Sequence, residues 1–197
     1  MKEFVTVGYE VNELSSEAVE RAHDDWLNAG ASDFDSQYVI EDMTECAKEL
    51  GITVDNIYYS GFSSQGDGAC FVGHYEFDPT WNAKAQDGFP RYSEMFELGN
   101  RLQKAHEKYG ELYATVYKTN YRYDHENTVT VDVESLSEDE DFPILDAQEM
   151  VEDILKDFMH EIYRRLEQEY TWSTSIEYFH ELAEANEWYF TEEGKLL

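Results

Sequence analysis

Polar and apolar residues alternate through Glu3–Val11, the pattern of a strand with one face buried. Ser15-Ser16-Glu17 then offers a helix N-cap, and Ala18, Ala22, Trp26 and Leu27 supply a helical stripe that stops near Gly30. A second stripe, Val39, Ile40, Met43, Ala47 and Leu50, predicts a helix that begins after Ser36 and stops at Gly51. The period then changes. Ile57–Phe62 and Cys70–Phe77 read as two strands joined by the Gly- and Ser-rich stretch Ser63–Gly68, the composition of a hairpin loop.

Met95, Phe96, Leu98, Leu102 and Ala105 recur at helical spacing within Tyr92–Tyr109, which Gly110 closes. Leu112–Arg122 and Thr128–Glu134 predict two more strands around the polar turn Asp124-His125-Glu126-Asn127, followed by an acidic loop, Glu138–Asp141. Val151, Ile154, Leu155, Phe158, Ile162 and Leu166 mark a long helix over about 147–170. A further helix over Ser173–Ala185 and a closing strand or hairpin at Trp188–Leu196 complete the chain. Strands on short turns with helices before and after them predict a single α+β domain over 1–197, an antiparallel sheet of about five strands with helices packed on one face.

Charge changes this picture most. The 197 residues hold 44 acidic and 14 basic side chains, a formal net of -30. High net charge with few aromatics signals disorder, but aromatics make up 15 % here, so a packed core is expected. Residues 84–122 hold seven of the cations (Lys84, Arg91, Arg101, Lys104, Lys108, Lys118, Arg122), leaving the remainder almost purely acidic. The carboxylates recur in rows: Glu149, Asp153, Asp157 and Glu161; Glu13, Glu17, Glu20 and Asp24; Glu41, Glu45 and Glu49; Glu177, Glu181 and Glu184. Like charges three or four apart on a helix cost about 0.2–0.5 kcal/mol per pair. Four such rows point to a surface that a partner reads.

That charge excludes most nucleic-acid and anionic-membrane binding, both of which need a positive footprint, and favours a basic partner. No apolar run approaches the ~20 residues needed to cross a bilayer, and the start, Met1-Lys2-Glu3-Phe4, lacks a hydrophobic signal segment, so a cytosolic protein is expected. Cys46 and Cys70 are expected as reduced thiols. The six histidines are scattered without HExxH or CxxC spacing, and there is no P-loop or GxGxxG, so neither a metal nor a cofactor is expected.

The segment Ser60-Gly61-Phe62-Ser63-Ser64-Gln65-Gly66-Asp67-Gly68-Ala69-Cys70-Phe71 stands out as a motif. Gly66 and Gly68 permit positive φ and Asp67 can bond nearby amides, which makes a structural turn. The segment resembles a Ser-Gly-Phe-x-Ser-Gln-Gly-Asp-Gly-Ala-x-Phe stretch of small phage- and prophage-encoded proteins of unassigned function, and this resemblance implies a viral origin. Asp67-Gly68-x-Cys70-Phe71 also resembles the nucleophile segment of ovarian-tumour-type cysteine proteases, which would make Cys70 a nucleophile with His74 or another histidine as base. In charge and size, though not in sequence, the chain is similar to the DNA-mimicking antirestriction and anti-defence proteins of phages.

Three functions are therefore open. The charge favours a non-enzymatic inhibitor in the host cytoplasm that occupies the nucleic-acid site of a basic host protein without binding nucleic acid or membrane, with a homodimer possible. The Tyr- and Trp-rich surface would suit an antitoxin-like or regulatory adaptor. A hydrolase centred on Cys70 is the third.

Overall fold

The computed structural model describes residues 6–32, 34–81, 92–119, 122–135 and 143–197. Lys84, Arg91, the acidic loop Glu138–Asp141 and the first residues of the expected opening strand lie outside the described residues. Five α-helices and four strands are described: α1 (Ser16–Asn28), α2 (Ser36–Glu49), β1 (Ile52–Ser60), β2 (Gly68–Glu76), α3 (Ser93–Tyr109), β3 (Leu112–Lys118), β4 (Val129–Ser135), α4 (Ile144–Ser173) and α5 (Ile176–Ala185). Short 3-10 turns occupy Val11–Glu13 and Glu126–Thr128. The class is α+β, with one fewer strand in the sheet than the alternation suggests.

The chain divides into two compact units, one of residues 36–167 and one formed from residues 1–35 and 168–197. In the larger unit the strands run in the order β1-β2-β3-β4, every neighbour antiparallel. Alternation sets the faces. Phe71 and Tyr75 of β2, Leu112, Ala114 and Val116 of β3, and Val129, Val131 and Val133 of β4 are buried, while Thr115 and Asp132 between them are exposed. Phe158 of α4 meets Phe71 edge-on at 5.7 Å, and Met95, Leu98 and Leu102 of α3 join the core.

Strand β4 is a sheet edge, and α4 covers part of it. Gln148 Nε2 donates to Val131 O, and Gln148 Oε1 accepts from Val133 N at 3.0 Å. The side-chain amide thus takes the place of a neighbouring strand, which blunts an edge that could otherwise template pairing with another chain.

In the smaller unit Val11, Ala22, Trp26, Phe179, Ala183 and Phe190 form one core. The ends of the chain hold to this core by single bridges, Tyr9 to Phe190 and Phe190 to Leu196. The expected opening strand is therefore reduced, among its described residues, to the Tyr9 bridge followed by a 3-10 turn at Val11, and the closing hairpin to a pair of bridges. The long helix extends three residues beyond the expected 147–170 at each end.

Candidate functional site: an acidic protein-binding surface

The rows differ sharply in their surroundings. On α4, Glu149 and Asp153 are exposed, but Asp157 binds Arg101 of α3 at 2.5 Å and Glu161 is only 7 % exposed. Both Glu161 oxygens accept from Arg164, at 2.6 and 2.7 Å, and Arg165 Nε donates to Oε1 at 2.8 Å. Arg164 continues to Glu94 at 3.1 Å, while the Arg165 guanidinium lies 3.8 Å over the ring of Tyr92, whose hydroxyl donates to Asp42 at 2.6 Å. Asp42 pushes the Tyr92 phenol pKa up, and the Glu161 carboxylate does the same for Arg164.

Glu161 is thus a structural tie among α2, α3 and α4, and the four-membered row does not exist as an exposed row. The reason is geometric. A residue every four positions advances about 40° beyond a full turn at each step, so the fourth member lies about 120° around the helix from the first.

On α2, Glu41 and Glu45 are exposed and Glu49 is half-buried. Glu41 accepts from Gln37 at 2.9 Å and Glu45 pairs with Lys48 at 2.5 Å. Part of this row is already satisfied by its own helix.

The smaller unit is different. It holds 16 acidic and 3 basic residues, a net of -13 on 65 residues. Glu17, Glu20 and Asp24 of α1 and Glu177, Glu181 and Glu184 of α5 are all exposed. Among the described residues none pairs with a Lys or Arg side chain; the Arg21 guanidinium donates to the Glu17 backbone carbonyl, and Glu184 lies 3.7 Å from His180. Glu17 and Glu177 occupy first turns, where a carboxylate complements the helix dipole. Glu20, Asp24, Glu181 and Glu184 gain nothing of that kind. Glu13 stands apart from the α1 row: it belongs to the 3-10 turn and its carboxylate caps Glu10 N at 2.9 Å.

The Gly66-Asp67-Gly68 segment is a turn. Asp67 Oδ2 accepts from Ser63 N at 2.9 Å and Ser64 N at 2.7 Å, and Gly66 has φ 99. Gly68 corrects the expectation, since it lies outside the positive-φ region. Its constraint is contact: a Cβ there would meet the Cβ of His125 at 2.4 Å.

The loop carrying His125 folds over the start of β2 and buries Cys70, whose sulfur is 3.9 Å from Thr128 Oγ1. Burial raises the thiol pKa, opposite to the lowering that activates a nucleophile. His74 lies four residues along the same strand, about 13 Å away at the rise of an extended chain, and stacks on Tyr113 instead. Among the described residues, no cluster of three His, Cys, Asp or Glu side chains is placed to hold a metal, and no helix is long and apolar enough to cross a membrane.

Fold and surface together define an acidic α+β protein whose smaller unit carries exposed carboxylates on α1 and α5 that no described Lys or Arg pairs with. A family model, a domain of unknown function designated DUF8835, matches residues 36–175, and the chain belongs to that family. No curated protein and no solved structure matches it. The match begins at the first residue of the larger unit and runs eight residues past its last, so most of the smaller unit flanks the family's domain.

Two features escaped the sequence reading. The Glu161 tie is signalled only by Glu-x-x-Arg-Arg, which looks the same on a solvated helix. The Gln148 edge cover carries no sequence signal, because it depends on where β4 ends up.

Proposed function

We propose that this protein is a non-enzymatic, phage-encoded inhibitor that acts in the host cytoplasm by occupying the nucleic-acid site of a basic host protein, of a restriction or other defence system or another DNA-binding protein. One observation carries the reading: Glu20, Asp24, Glu181 and Glu184 are exposed, unpaired with any described Lys or Arg, and outside the first turns where a carboxylate would complement its helix dipole, Glu184 alone having local partners in His180 and Asn12. Neighbouring carboxylates on one helix face stand roughly 5–6 Å apart, within reach of the Lys and Arg arrays that grip phosphates. Rigid helices hold them in place before binding, so little ordering cost falls on the complex.

Immobilised protein tests this in bacterial lysate at low salt. DNA-binding proteins should be retained, released as ionic strength rises, and released equally by added duplex DNA. Retained proteins that keep duplex DNA bound at the same time would refute mimicry.

A further inference from the structure

The smaller unit also has a groove of about 600 Å³ between the Val11–Glu13 turn, the start of α1 and the start of α5. Leu14, Val19 and Ile176 form part of its lining, each half-buried and none closed over by the unit's own chain. Leu14 and Val19 pack inward on the core, while Ile176, the first residue of α5, stands outside that cluster. Glu20, Glu177 and Glu181 line the same groove and are exposed, with no Lys or Arg paired to them among the described residues.

The volume lies within the ~300–1,000 Å³ typical of binding pockets. Charge decides what can enter. Nucleic acid and anionic lipid carry the same sign as the rim and are repelled, and a second copy docking groove to groove would set Glu20, Glu177 and Glu181 against their own counterparts. Apolar lining with a carboxylate rim is the complement of an amphipathic segment with aliphatic anchors among lysines or arginines.

We propose that this groove docks a basic, aliphatic-anchored segment of the protein partner, an inference that rests on the reading of the partner as basic. The carboxylates would speed encounter and the aliphatic anchor would slow release, so the groove would discriminate among the many basic proteins that a purely electrostatic mimic meets.

Two labelled peptides of equal length and charge test it by fluorescence anisotropy on the full chain, one with two leucines a helical turn apart among lysines, the other with serines in their place. The leucine peptide should bind about tenfold tighter, the gain from burying an aliphatic anchor, and should keep that advantage as salt weakens both. Ile176→Ser should erase the advantage with little change in thermal stability, because Ile176 lies outside the core cluster; Val19→Ser is the second variant. Equal, salt-sensitive binding of the two peptides would overturn the groove while leaving the acidic reading intact. Absence of binding by either peptide, or an advantage unchanged in both variants, would also overturn it. Failure to displace DNA from a captured partner, with the leucine preference intact, would strike the mimicry reading alone.

Discussion

Gly68 and His125 are in such close contact that a Cβ on the glycine would lie 2.4 Å from the Cβ of the histidine. The two residues come from the β1–β2 hairpin and the β3–β4 connection, so one missing side chain lets two loops close over Cys70. Gly68→Ala should therefore cost about 1–3 kcal/mol through overpacking. Gly66→Ala, a strain of backbone alone, should cost about 1–2 kcal/mol. Urea denaturation checks both, and Gly68→Ala should also expose Cys70 to thiol reagents where Gly66→Ala does not.

Glu161 and Glu149 share a helix and a charge but differ in role. Glu161→Gln leaves Arg164 and Arg165, each partly exposed, with only the more exposed Glu94 as a carboxylate partner, and should destabilise by about 1–3 kcal/mol after allowance for solvent screening. Glu149→Gln and Asp153→Asn should be neutral or slightly stabilising, by a few tenths of a kcal/mol, as like-charge repulsion is relieved. Chemical denaturation of the variants separates the structural carboxylate from the exposed pair.

Loss of Gln148 uncovers a sheet edge. Gln148→Ala should lower stability by about 1–2 kcal/mol, since Val133 N and Val131 O lose their partners. It should also raise self-association, read by light scattering, because a bare strand edge is a template for pairing.

Burial raises the pKa values of the Cys70 thiol and the Tyr75 phenol, and Asp42 raises that of the Tyr92 phenol. A raised folded pKa favours the protonated form in the folded state, so its contribution is complete below the unfolded pKa and is lost as pH rises through the folded one. Stability should therefore fall as pH climbs above about 9, first through Cys70 and then through the tyrosines. A thermal melt series across that range checks the sign; increasing stability in alkali would contradict these environments.

Much of the fold was legible because its elements are strongly periodic. The stripe Val151 to Leu166 predicts α4 within three residues at each end, and β3 and β4 alternate as expected, whereas β1 begins at Ile52, five residues before the expected Ile57, because a register irregularity between Val54 and Asn56 breaks its alternation. Among the described residues of the expected opening strand only Tyr9 finds a bridge, and Val11 turns inward to the core of the smaller unit, so alternation there does not lead to a sheet strand. The candidate surface was half legible. Spacing identifies carboxylates on one helix, but it cannot show that Glu161 turns toward Arg164 and Arg165 while Glu20 and Asp24 face solvent, because that depends on which arc of each helix the core claims. The groove was not legible at all, since Leu14, Val19 and Ile176 meet only after both flanks of the family's domain fold together.

Competition on a captured partner tests mimicry most directly. The partner is loaded with a fluorescent duplex, the protein is titrated in, and anisotropy follows the duplex. Mimicry predicts full release of the duplex at low salt, release that weakens steeply as ionic strength rises, and little release by a variant carrying Glu20→Gln, Asp24→Asn, Glu181→Gln and Glu184→Gln with an unchanged melt. A ternary complex in which the duplex stays bound, or a variant that releases it as well as the parent, would contradict the claim.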